Sequence, residues 1–122
     1  MRDHVTTELS VVASRFRGVA DDWALDEADT ASLLGIAAAA VPAAVQRGEG
    51  LDETAETRMR HAIDVAGAAR RLLARDEPSA AWIRCPNPAL FGRTPLEVMI
   101  GEPRGLAAIR HRLLSELGDG LG

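Results

Sequence analysis

Apolar residues recur along this chain at steps of three and four and nowhere alternate over a sustained run, so the pattern predicts helices and no sheet. Leu9, Val12, Phe16 and Val19 make one face of a helix from Thr7 to Ala20, with Trp23 and Leu25 following. Asp26 is placed to cap a short helix, Glu27 to Leu34, that Gly35 ends; Asp26, Glu27 and Asp29 suit its positive end. Ile36 and an alanine-rich stretch run to Arg47 and close at Gly48-Glu49-Gly50, with Pro42 inside the stretch predicting a kink. The longest helix starts after Asp52 and reaches about Arg75 as a central pillar. Met59, Ala62, Ile63, Ala66, Ala69, Leu72 and Leu73 form its apolar stripe, flanked by Arg58, Arg60, Arg70 and Arg71.

Asp76-Glu77-Pro78 permits a break and a restart, giving a short helix that ends with Trp82 and Ile83. Pro86 and Pro88 then bar an ordinary helix, and Gly92 allows a sharp turn. Thr94 reads as an N-cap, Pro95 as the first helical residue, and Glu97, three after the cap, closes a capping box. Gly101 ends that helix. Glu102-Pro103 opens a last one through Leu106, Ile109, Leu113, Leu114 and Leu117, and Gly118-Asp119-Gly120-Leu121-Gly122 reads as a flexible end. The expected fold is all-α, a compact helical bundle of about six to seven helices.

At 122 residues the chain buries about two thirds of its unfolded surface, enough for a core without staples. The 47% hydrophobic fraction is mostly small and aliphatic, which suits close helix contacts. All 14 basic residues are arginine against 18 acids, and the net charge of −4 is unevenly spread. Residues 1–36 carry seven acids and three arginines, residues 37–77 seven and six, residues 78–122 four and five. An acidic first third lacks the basic footprint that nucleic-acid binding needs. No apolar run reaches the roughly 18–20 residues of a membrane span and no apolar signal core opens the chain, so a cytoplasmic location is expected.

The residues offer little catalytic chemistry. His4, His61 and His111 stand far apart, none with a second ligand at helical spacing, and a single cysteine, Cys85, excludes both an internal disulfide and an ordinary zinc site. Cys85 has no histidine near it in sequence, and Gly48-Glu49-Gly50 precedes no strand-to-helix unit that would cradle a phosphate. The expectation is a protein that is not an enzyme, with no catalytic residues, no cofactor and no metal.

The order W-(I/L)-x-x-P-N-x-x-L-x-G-x-T-P-L-E-(V/L)-(M/L) at Trp82 to Met99, followed by G-L-x-x-I at Gly105 to Ile109, resembles the toxin-binding domain of the Xre/MbcA/ParS antitoxin family. Leu25 to Gly48, with Leu34-Gly35-Ile36 at its turn, is similar to the Xre-like helix-turn-helix that precedes that domain, and Gly50-Leu51 and Glu56-Thr57-Arg58 fall at matching places. The resemblance implies two regions, a helix-turn-helix region with the long helix over 1–77 and a toxin-binding region over 78–122. It also implies an antitoxin of a type II toxin–antitoxin system whose partner is a RES-domain toxin, an enzyme that degrades NAD. Inhibition would be by occlusion of the toxin's NAD-binding cleft, by a homodimer within a hetero-oligomer.

On that reading the toxin-binding residues are Asn87, Arg93, Thr94, Pro95, Met99, Arg104, Arg110, Arg112, Glu116 and Asp119. The arginines are the stronger candidates because exposed guanidinium groups supply forked hydrogen bonds. Trp82, Leu90, Leu96, Val98, Ile109 and Leu113 read as core. Asn87 reads equally as a turn residue bonding its own backbone, and Thr94 and Pro95 serve capping first. Glu116, Asp119 or the terminal carboxylate of Gly122 would suit a cleft lined for a pyrophosphate, or the acidic tail is a frayed end.

The alternative is a helix-turn-helix DNA-binding regulator that represses its own operon. Against it, Ala37 to Val45 holds no polar side chain with which to read a base, so the unit looks like a degenerate helix-turn-helix kept as a scaffold or dimer surface. DNA contact, if made, would fall to Arg15, Arg17, Gln46 and Arg47.

Overall fold

Three side chains start three of the helices by taking the backbone N–H groups that a helix leaves unpaired. Asp26 Oδ1 accepts from the Asp29 amide at 2.7 Å, and Asp52 Oδ1 from the Ala55 amide at 2.7 Å. Thr94 Oγ1 accepts from Glu97 N at 3.0 Å while Glu97 Oε1 accepts from Thr94 N at 3.1 Å, completing the capping box. The structure, a computed structural model, describes the backbone of residues 2–73 and 79–121 and the side chains of 9–73 and 80–118.

The described residues form seven α-helices in order: α1 (Arg2–Asp22), α2 (Glu27–Leu34), α3 (Val41–Arg47), α4 (Glu53–Leu72), α5 (Ser79–Ile83), α6 (Pro95–Gly101) and α7 (Gly105–Leu121). Single 3-10 turns cover Ala38–Ala40 and Pro88–Leu90, and there is no strand among the described residues. The fold is all-α, as the periodicity predicts. α4 packs against α1, α2 and α7, so it is the central pillar. One core joins Phe16 and Trp23 of α1, Leu33 and Leu34 of α2, Met59 and Val65 of α4, Ile83 of α5, Met99 of α6 and Ile109 of α7. The Trp23 indole N–H is buried there without an acceptor among the described residues.

Four details depart from the sequence reading. Pro42 does not kink a helix: the alanine run first makes a 3-10 turn, and Pro42 sits in the first turn of α3, where its missing N–H costs nothing. On α4 the buried face includes Ala55, Val65 and Ala68, whereas Leu72 is 39% exposed. The helix ends there, and extended backbone at Leu73 turns that side chain toward the core instead. α7 begins at Gly105, after a turn at 102–104, rather than at Glu102-Pro103. It also runs to Leu121, through glycines expected to end it, which a helix tolerates at about 1 kcal/mol each. The break expected at Asp76-Glu77-Pro78 lies outside the described residues.

Gly105 explains the corner between α6 and α7. A Cβ there would stand 1.8 Å from the Val98 carbonyl oxygen, so only glycine lets α7 start under α6.

Candidate functional site

The loop between α5 and α6 is closed by its own backbone. Asn87 donates its amide to the Arg93 carbonyl at 3.0 Å, and the Asn87 carbonyl accepts from Leu90 at 2.9 Å and Gly92 at 3.0 Å. The Asn87 side chain caps the 3-10 turn, its Oδ1 accepting from the Ala89 amide at 2.9 Å. Asn87 is thus a turn residue bonded to four of its neighbours, with its side chain committed to the loop. Trp82 and Leu90 lean on the core from either side, and the Arg93 guanidinium pairs with Glu102 at the far end of α6.

An exposed aromatic side chain in the loop escaped the sequence reading. Phe91 is 93% exposed and holds φ at 59°, a left-handed conformation that costs an ordinary residue about 1–2 kcal/mol. Its amide is fixed on the Pro88 carbonyl at 3.0 Å, and Gly92, at φ 85°, turns the chain back. The motif carried a signal for this position, an apolar residue between Leu90 and Gly92 in a turn, but Phe91 fell at one of its variable places.

Of the expected toxin-facing residues, two lie inside. Pro95 is fully buried and Met99 is 1% exposed, because the helix that Thr94 starts turns them toward the core. They set the position of α6 and present no atoms to a partner. Thr94 is half-buried and spent on its cap. Arg93, Arg104, Arg112 and Glu116 are exposed. Arg112 and Glu116 pair across one helical turn at 3.7 Å, on the row of α7 that continues from Arg104 through Ala108. Arg110 faces elsewhere: it turns toward α4 and donates from Nε to Asp64 Oδ2 at 2.8 Å. The arginines of α7 therefore do not form one face. The Asp119 side chain and residue 122 lie outside what is described.

Two open grooves flank this α4–α7 seam. One, about 320 Å³, lies between Glu53, Thr57, Arg58 and His61 on α4 and Pro103, Arg104 and Ala107. The other, about 330 Å³, is lined by Asp64, Gly67 and Arg71 opposite Arg110, Leu114 and Leu117. Burial, reinforced by the Arg110 charge and partly offset by Asp64, holds the His61 pKa below its ordinary 6.5, so the ring is neutral at pH 7.

The segment expected to be a helix-turn-helix is bent. The Ala38–Arg47 segment bends 99° from α2 across Gly35, Ile36 and Ala37, an angle in the range helix-turn-helix units use. The residues nominated for DNA contact divide. Arg17 Nη1 donates to the Val45 and Gln46 carbonyls, 2.8 Å each, and so closes the C-terminal end of α3. Arg47 pairs with Glu49 at 3.0 Å. Gln46 shares a groove with Arg17, while Arg15 lines a different one beside Arg60 and Asp64. Ala37, Ala38, Ala39 and Pro42 are exposed, leaving a smooth surface of small side chains.

Arg84 ties the end of α5 to the turn between α1 and α2. Its Nη2 donates to the carbonyls of Trp23 at 3.2 Å and Ala24 at 2.9 Å, and it lies 3.8 Å from Asp29. Among the described residues there is no cluster of His, Cys, Asp or Glu able to hold a metal ion, and no single helix is long and apolar enough to cross a membrane. Cys85 is exposed with its thiol against the neighbouring Pro86 carbonyl.

Compared with known families, residues 68–116 match the antitoxin Xre/MbcA/ParS C-terminal toxin-binding domain. No curated protein matches the chain. The match begins within the last turns of α4 and covers α5, the closed loop, α6 and most of α7.

Proposed function

We propose, from the match of residues 68–116 to the toxin-binding domain of the Xre/MbcA/ParS antitoxins, that the chain neutralises a RES-domain toxin by covering its NAD-binding cleft. The observation that carries this reading is the family match itself, which spans the closed Asn87–Arg93 loop and the α6–α7 corner. The contact surface is then the loop with Arg93, Arg104 in the turn before α7, Arg112 and Glu116 on α7, and Arg110 at the seam, with the acidic end near Asp119 reaching the cleft. Buried Pro95 and Met99, and capping Thr94, hold that surface in place. The antitoxin acts as a homodimer within a hetero-oligomer, uses no cofactor of its own, and meets NAD as the toxin's substrate.

Co-expression with a RES-domain protein tests this directly. The two are expected to co-purify, and the partner should stop consuming NAD. Reversing Arg104 and Arg112 to glutamate should weaken the complex about thirtyfold, the loss typical of interface arginines. An intact chain that neither binds nor silences the RES-domain protein overturns the proposal.

The 99° bend between α2 and the 38–47 segment favours a second role in DNA contact. The side chains do not: Arg17 and Arg47 have partners within the chain, and the face that would enter a groove offers alanine. A mobility-shift assay of the chain alone on its own promoter at about 0.15 M salt is expected to give no tight complex.

A further inference from the structure

We propose that Phe91 is the anchor of the toxin interface, a ring that enters an apolar pocket on the RES-domain partner. The inference rests on the toxin-binding reading above and names the contact within it.

Three observations converge on this residue. Phe91 is 93% exposed, whereas the other exposed large apolar side chains among the described residues, Val11, Leu72 and Leu114, are 39–48% exposed. It lies within the segment matched to a toxin-binding domain. Its loop is already ordered: the Asn87 bonds and the Phe91 amide on Pro88 hold the backbone that aims the ring outward, so little freedom is lost on docking. An aromatic on a stiff support is what interface hot spots use. The charge beside it is also neutralised, since Arg93 pairs with Glu102, leaving an apolar contact as the ring's natural partner. Nothing inside the chain needs this ring: a side chain so exposed adds little to the core, and a glycine would meet the backbone requirement at lower strain.

The test separates side chain from backbone. Phe91→Gly and Phe91→Asn both accept the left-handed conformation, so each variant should melt at the wild-type temperature or slightly above it. Both should bind a purified RES-domain protein at least about thirtyfold more weakly than the wild-type chain, while Phe91→Leu, still apolar, should stay within about tenfold. Equal affinity of Phe91→Gly and wild type overturns the anchor and leaves the toxin-binding reading intact. A marked fall in melting temperature overturns it too, by showing that the ring supports the fold. Loss of self-association with toxin affinity unchanged would assign Phe91 to a second copy of the chain and also overturn it. If the wild-type chain itself does not bind the RES-domain protein, the functional reading fails first and the anchor falls with it.

Discussion

The turn after α2 and the turn after Pro88–Leu90 make the same backbone demand, a residue in the left-handed region, and fill it differently. Gly35 takes φ 72° and donates its amide to the Ala31 carbonyl at 2.8 Å; Phe91 takes φ 59° and donates to Pro88 at 3.0 Å. At Gly35 an added Cβ would lie 3.1 Å from Arg58 Nη1, so the guanidinium would have to give by a few tenths of an ångström. The Arg58 guanidinium occupies that place and donates from Nη2 to the Pro103 carbonyl at 3.1 Å, tying the first turn to the α6–α7 corner. At Phe91 the side chain goes outward into solvent. One left-handed turn is built for packing. The other accepts strain to display a ring.

The sharpest probe of the packed corners is Gly105→Ala. Its Cβ cannot share space with the Val98 carbonyl, so α7 must shift, at a cost of about 3 kcal/mol or more by chemical denaturation. Gly35→Ala comes next, expected to lose about 1–2 kcal/mol from left-handed strain together with the close contact of its Cβ with Arg58. If Gly35→Ala were neutral, the contrast with Phe91 would collapse. Removing the caps, Asp26→Ala at α2 or Thr94→Ala at α6, should cost about 1 kcal/mol each in thermal melts. Phe91→Gly should differ from Phe91→Ala by less than about 1 kcal/mol in favour of glycine, since relief of strain is offset by a freer unfolded chain.

The smallest effect is a slope with pH. Because the His61 pKa is lowered in the fold, the unfolded chain binds the proton first as pH falls. Stability contributed by His61 is therefore complete above about pH 6.5 and declines as pH drops through the folded value. His61→Gln should flatten the acid side of a stability–pH curve and leave the neutral side unchanged.

Much of this was legible in the chain. Capping residues act within four positions, so Asp26, Asp52 and Thr94 gave helix starts that hold to the residue. The ordered motif from Trp82 to Ile109 marked the toxin-binding segment for the same reason: its prolines, asparagine and glycines dictate local backbone. What stayed hidden depends on neighbours distant in sequence. That Arg17 is spent on α3, Arg110 on Asp64, and Met99 on the core follows from how helices meet, which spacing along one helix does not specify. Phe91 was hidden differently. Sequence marks an apolar residue as core by default, and only the left-handed turn sends this one outward.

The two tryptophans, in a chain without tyrosine, give this molecule a built-in optical readout. Trp23 is wholly buried with its indole N–H unpaired among the described residues, so its fluorescence comes from an apolar cage and should shift toward the red only when the core opens. Trp82 is half-buried at the foot of the loop that carries Phe91, where an arriving partner would change its contact with water. Light emitted by one chain can thus distinguish unfolding from docking without a label, and a Trp82→Phe variant would show which of the two signals belongs to which event.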